Sequence, residues 1–184
     1  MNLDIIYSGK PKKIISTSDV LQEIRKSGKA TVDEPSYIRA RLFDMLLGDW
    51  DRHEDQWRWA VYENEEGIEI SKPIPRDRDQ AFSKYDGTLI AFLTRAIPSL
   101  RKMQSYNDEI RSVKWLAASP YHLDLTLINS SEWTEWEKQA KHIQKDLTDD
   151  VIEKAFESIP EEIRGETIAD IKAKLKARRG NMLK

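Results

Sequence analysis

Two short runs of this 184-residue chain are acidic, segment 49–55, which opens on Asp49 and Asp51, and segment 77–79, with Asp77 and Asp79. Between the runs, Trp57, Trp59 and Val61 alternate with Arg58, Ala60 and Tyr62. After Asn64-Glu65-Glu66-Gly67, Ile68 and Ile70 alternate with Glu69 and Ser71. Period-two alternation on both sides of a Gly-containing loop predicts a β-hairpin, its second strand ended by Pro73 and Pro75. A hairpin returns its ends to one place, so the four carboxylates should converge with Arg52, His53 and Gln56. Converging carboxylates repel unless a cation or arginines neutralise them. Oxygen ligands without cysteine suit Mg²⁺, Mn²⁺ or Ca²⁺ better than zinc. The other reading is a structural Arg–Asp network, which Arg52, Arg76 and Arg78 are close enough in sequence to supply.

The elements that would carry these runs are mostly helical. Ser16-Thr17-Ser18 offers N-caps to a helix with Val20, Leu21 and Ile24 on one stripe, stopping near Gly28. A second helix starts at Asp33, with Glu34 and Pro35 in its first turn, carries Ile38, Leu42, Met45 and Leu46, and ends at Gly48. Thr88 to Ile97 is a short apolar helix stopped by Pro98, and Asp108 to Leu116 a further helix. Ser130 or Ser131 caps a long helix through Leu147 with Trp133, Trp136, Ala140 and Ile143 inward. Thr148 caps the next, with Val151, Ile152, Ala155 and Phe156 inward. Ile168, Ile171 and Leu175 stripe the last helix, whose basic tail should be a solvated face. Trp57 and Trp59 share a strand face and are expected in the core. His122 and His142 have no Asp or His at metal-ligand spacing and are expected at the surface. The predicted fold is mainly α within the α+β class, with residues 1–15 an extended segment and 16–184 one domain.

Composition excludes several functions. Thirty basic side chains stand against 32 acidic, for a net charge of -2, which argues against a nucleic-acid partner held through phosphates. There is no cysteine, so disulfides, thiol catalysis and iron–sulfur clusters are excluded. No apolar run approaches the ~20 residues of a membrane span. The N-terminus lacks a charged stretch with an apolar run behind it, so no signal peptide is predicted.

The spacing within the first run sharpens the chemistry. Asp51 precedes Gln56 by five residues. In protein-kinase catalytic loops the base Asp precedes a metal-binding Asn by that interval, and a second Asp follows to hold metal. Leu46-Leu47-Gly48-Asp49-Trp50-Asp51-Arg52-His53-Glu54-Asp55-Gln56 resembles the G-N-x-D-R-H-x-x-N loop of atypical kinases: the HipA-type bacterial, Golgi secretory-pathway and CotH spore-coat kinases. Pro75-Arg76-Asp77-Arg78-Asp79-Gln80-Ala81-Phe82 resembles their metal-binding segment, D-x-D-x-A-F in the CotH-like form.

The resemblance implies a helical kinase-like C-lobe using Mg²⁺ or Mn²⁺ with ATP. Asp51 would be the base, within an Asp51-Arg52-His53 catalytic motif. Asp77 would be the metal ligand, Asp79 a second one, and Gln56 would take the metal-binding Asn position. The partners implied are a nucleotide and a phospho-acceptor. The chain also resembles a segment of large Bacteroidetes surface proteins, which implies a larger polypeptide and a periplasmic or cell-surface location; without the resemblance, a cytoplasmic one stands. Gln replaces Asn at position 56 and Asp replaces Asn at position 49. No Gly-rich phosphate loop or phosphate-binding Lys strand precedes the catalytic-type loop, so the N-lobe is expected to be absent and the chain alone inactive. Two other readings stand beside the kinase: a non-catalytic helical scaffold, and a divalent-metal phosphoesterase.

Overall fold

The computed structural model describes residues 9–128 and 130–183; residues 1–8 of the predicted N-terminal segment lie outside the described residues. A four-stranded mixed sheet and a set of helices make an α+β fold. Strands β1 (Lys13–Ile15), β2 (Ala30–Val32), β3 (Trp57–Glu63) and β4 (Glu69–Pro75) lie in the order β1-β3-β4-β2. The predicted hairpin is the antiparallel pair β3–β4, with Trp57 opposite Pro75 and Glu63 opposite Glu69. β1 adds antiparallel to β3, and β2 adds parallel to β4. These flanking strands have three residues each, too few to show alternation in sequence.

β4 runs through Pro73 instead of ending there, and the ladder explains why. Arg76 N–H donates to the Gln56 carbonyl at 2.8 Å, so the even-numbered residues of β4 exchange hydrogen bonds with β3. Pro73 and Pro75 are odd, and their nitrogens point to the opposite edge. There β2 has already ended, with Val32 opposite Ser71, and no ladder donor is required.

Helices α1 (Thr17–Ser27) and α2 (Glu34–Leu47) start and stop where their caps dictate. Ser16 and Asp19 form a reciprocal capping box and Gly28 closes α1 in the left-handed region. The Asp33 side chain accepts from Ser36 N–H at 3.0 Å, with Pro35 in the first turn of α2. α2 then serves two cores. Its first half packs Tyr37 and Ile38 against Trp57, Trp59 and Val20, with Leu123 and Leu127 of α5 (Tyr121–Ile128). Trp59 stacks on Tyr37 and on Trp57 with centroids 5.7 and 6.1 Å apart, Tyr37 meets Trp57 tilted at 5.0 Å, and both tryptophans are fully buried. Truncating either would cost on the order of 3–5 kcal/mol. Its second half packs Leu46 and Leu47 against Ile143, Ile152 and Leu175. Those come from α6 (Trp133–Asp146), α7 (Asp149–Ala155) and α8 (Glu166–Asn181).

Several expectations are corrected. Helix α3 (Thr88–Ala96) forms as predicted, but Leu89 and Phe92 face outward. The helix expected over Asp108–Leu116 is confined to α4 (Val113–Leu116). The Gln104 amide bonds both the carbonyl and the N–H of Ser112, at 2.8 and 2.9 Å, and holds the chain before it as a loop. α6 starts at Trp133 with Glu132 as its cap residue, because Ser131 Oγ is drawn to Glu34 at 2.6 Å. Trp133 is 69% exposed rather than in the core, and Val151 and Ala155 are likewise exposed. Seven-residue α7 sends Ile152 into the core, with Phe156 just after it packed alongside. α5, which none of the sequence expectations covers, begins just after Pro120. His142 has an Asp neighbour after all: its Nε2 lies 3.1 Å from Asp146.

Candidate functional site

α2 delivers the first acidic run. Gly48 closes the helix at φ +75°, and a Cβ there would lie 2.9 Å from Tyr106 Cδ2 and 3.3 Å from Arg178 Nη1. Only glycine fits both the backbone and the space. Arg178, predicted on a solvated face, is instead buried. It donates to the carbonyls of Asn107 (2.5 Å) and Met45 (3.1 Å) and lies over the Tyr106 ring at 4.2 Å. Burial lowers its guanidinium below the ordinary range and pushes the Tyr106 hydroxyl up to about 12.

The chain then turns on Asp49, whose Oδ1 accepts the Asp51 N–H at 3.2 Å. The second run turns the same way: Asp77 Oδ1 accepts the Asp79 N–H at 3.2 Å. Asp77 (φ 42°) and Phe82 (φ 58°) are the non-glycine residues with positive φ among the described residues. Phe82 N–H donates to the Leu47 carbonyl at 3.0 Å, and its ring meets Tyr106 edge-on at 5.0 Å. The second run is thereby pinned to the end of α2.

Arg52 joins the two runs. Fully buried, it donates to the carbonyls of Arg76 and Gln56 and to the Asp49 carboxylate. It therefore clamps both legs of the hairpin stem. Its Nε lies 3.1 Å from Asp44 Oδ2, an ion pair whose N–H points off the oxygen. Asp44 is itself fully buried and also faces Arg41 Nη1 at 3.4 Å and Arg78 Nε at 3.1 Å. Arg41 continues to Asp124 at 3.0 Å, which accepts the Tyr37 hydroxyl at 2.8 Å. Burial pushes the Asp44 carboxyl up, against the pull of the three arginines. The Arg–Asp network is thus present, but it centres on Asp44. Sequence reasoning missed Asp44, Arg41 and Asp124. A signal existed: Tyr37, Arg41, Asp44 and Gly48 recur at 4, 3 and 4 residues, a stripe that on α2 must meet other parts of the chain.

The network sorts the four aspartates. Asp49 is buried and paired with Arg52. Asp51 is half-buried, and Asp77 and Asp79 are exposed. Among the described residues no cation lies within ion-pair distance of these three carboxylates. His53 precedes a short 3₁₀ turn, Glu54–Gln56, and its Nε2 is 3.5 Å from Gln56 Nε2. The turn is anchored by Thr17 Oγ1, which donates to the Glu54 carbonyl at 2.7 Å and accepts from Trp59 Nε1 at 3.1 Å. Gln56 is half-buried. Among the described residues no group of three His, Cys, Asp or Glu stands in metal-binding array. A groove of about 500 Å³ opens beside Arg78 and Pro75, floored by Phe43, Ile143 and Leu147.

Comparison with family models, curated proteins and solved structures found no match to this chain.

Proposed function

We propose that this chain is the lower lobe of a metal-dependent phosphotransferase of the atypical-kinase type, with Asp51 as the base that accepts the acceptor hydroxyl's proton. The observation that carries the reading is the division among the aspartates. The same Arg network neutralises Asp44 and Asp49, while half-buried Asp51 and exposed Asp77 and Asp79 have no cation within ion-pair distance among the described residues. A purely structural cluster has no need of unneutralised carboxylates on both legs of a clamped stem. Asp77 also holds a backbone conformation that costs an L-residue about 1 kcal/mol, and such outliers gather at functional sites.

Asp77 and Asp79 suit a hard cation held by a few protein oxygens and completed by phosphates, with the Gln56 amide oxygen as a further donor. Bound there, Mg²⁺ or Mn²⁺ with ATP would supply charge neutralisation on the transferring group. Arg52 is a positioning residue: with no exposed surface, it sets the stem and so the spacing of Asp51 from Asp77. No Gly-rich phosphate loop is found in this chain, so nucleotide clamping falls to a further lobe. Loss of one stabilising donor of that kind removes ~10²–10³ in rate, and the chain alone should transfer phosphate negligibly.

The test has two parts. Mn²⁺ with ATP should raise the melting temperature of the wild type but not of the Asp77→Ala, Asp79→Ala double variant. A form extended upstream to include a nucleotide clamp should label with radioactive ATP, and Asp51→Asn should abolish the label while keeping the Mn²⁺ response. Equal Mn²⁺ responses in wild type and double variant would refute the metal site. They would favour the scaffold reading, which has the complete burial of Arg52 behind it.

A further inference from the structure

A second, smaller cleft of about 150 Å³ lies between the last turn of α3 and the loop 103–111. Arg95 and Arg111 line it, together with Thr94, Ser105, Asn107 and Tyr85, and no carboxylate does. Among the described residues no acidic side chain pairs with either guanidinium. Ser105 Oγ accepts the Tyr85 N–H at 2.8 Å, which leaves its own hydroxyl proton to donate. Asn107 Nδ2 gives one hydrogen to the Ser105 carbonyl at 3.2 Å and keeps a second. Two arginines without an acidic partner among the described residues, a hydroxyl and an amide thus border a space worth roughly five water molecules. That volume admits a tetrahedral oxyanion and is well below the 300–1,000 Å³ typical of larger ligands. Guanidinium matches such an anion bidentately.

The cleft is wired to the acidic runs through Tyr85. Its hydroxyl accepts from Trp50 Nε1 at 3.0 Å and donates to Gln80 Oε1 at 2.8 Å. Trp50 adjoins Asp51, and Gln80 adjoins Asp79. Tyr106 N–H donates to the Ser83 carbonyl at 2.9 Å, so segment 83–85 moves with 105–106.

We propose that this cleft binds a phosphate group, free or as a phosphomonoester. Bound between Arg95 and Arg111, the anion fastens α3 to the loop 103–111 and fixes Tyr85, and through it Trp50 and Gln80. The proposal stands on the cleft alone and does not rest on the phosphotransferase reading.

Calorimetric titration of the intact chain with inorganic phosphate, and separately with phosphoserine, tests it. Saturable binding is expected with at least one of them. Tighter binding of phosphoserine would assign the site to a modified side chain, and tighter binding of phosphate to the free ion. Arg95→Gln and Arg111→Gln should each weaken binding about tenfold or more, the worth of a charge-assisted hydrogen bond. Arg95→Lys should lose less, and Arg25→Gln, on the exposed face of α1, nothing. Phosphate should also change tryptophan fluorescence in the wild type but not in Trp50→Phe. Because both arginines are exposed, their variants should melt as the wild type does. Absence of saturable binding to either probe, or affinities equal across wild type, Arg95→Gln and Arg111→Gln, would overturn the proposal.

Discussion

Removing the Asp44 carboxylate would take a counter-charge from three guanidinium groups, leaving buried Arg41 with Asp124 alone, buried Arg52 with Asp49 alone, and Arg78 with no carboxylate among the described residues. Breaking a buried ion pair from one side costs about 3–5 kcal/mol, and Asp44→Ala should lose that much in urea denaturation. Asp77→Gly should behave differently. Glycine relieves about 1 kcal/mol of left-handed backbone strain, but gives back chain entropy and the hydrogen bond that Asp77 Oδ1 accepts from the Asp79 N–H. The unfolding midpoint should therefore stay near that of the wild type while the Mn²⁺ response disappears; a loss as large as that of Asp44→Ala would make Asp77 a structural residue instead. At this scale the sequence was partly legible. Asp51, Asp77 and Asp79 stood out because like charges were crowded in turn-forming segments. Asp44 did not, because an Arg and an Asp three apart on a helix look the same whether they face water or the interior.

Among the elements, α7 and α8 are held by charge as well as by Ile152 and Leu175. Glu153 takes Lys172 at 2.6 Å and Lys176 at 2.7 Å, and Asp149 takes Arg179 at 2.7 Å. The two lysines hold the Glu153 carboxyl down from its ordinary 4.5 to about 2. A carboxyl depressed in the folded state stabilises it above its unfolded value and ceases to do so as pH falls through the folded one. The melting temperature of the wild type should therefore exceed that of Glu153→Gln at neutral pH. The gap should close between pH 4.5 and 2. It should also narrow with added salt, since the pair is exposed. A constant gap would mean that Glu153 acts by packing. Helices with strong caps were readable from sequence: Ser16, Asp33 and Thr148 each cap as expected. What escaped was decided by distant partners, as when Gln104 captures Ser112 or Glu34 takes the hydroxyl of Ser131.

For the whole molecule, α2 is the common wall of two cores, with the ion network set along it. The hydrophobic pattern announced α2 and the hairpin but not which helices would share them. The order β1-β3-β4-β2 leaves the far half of β4 unpaired on one side. The prolines at 73 and 75 bear on how copies of the chain meet one another. A strand from a neighbouring molecule laid along that rim would find carbonyls but no donors at these two positions, and strand addition would stall. Pro73→Val with Pro75→Val restores both donors. The double variant should associate with rising concentration in light scattering where the wild type does not, and a variant that stays dispersed would show that other groups guard the rim. Pro75, which ends β4 as the sequence leads one to expect, and Pro73 before it thus also form a barrier to self-templated aggregation.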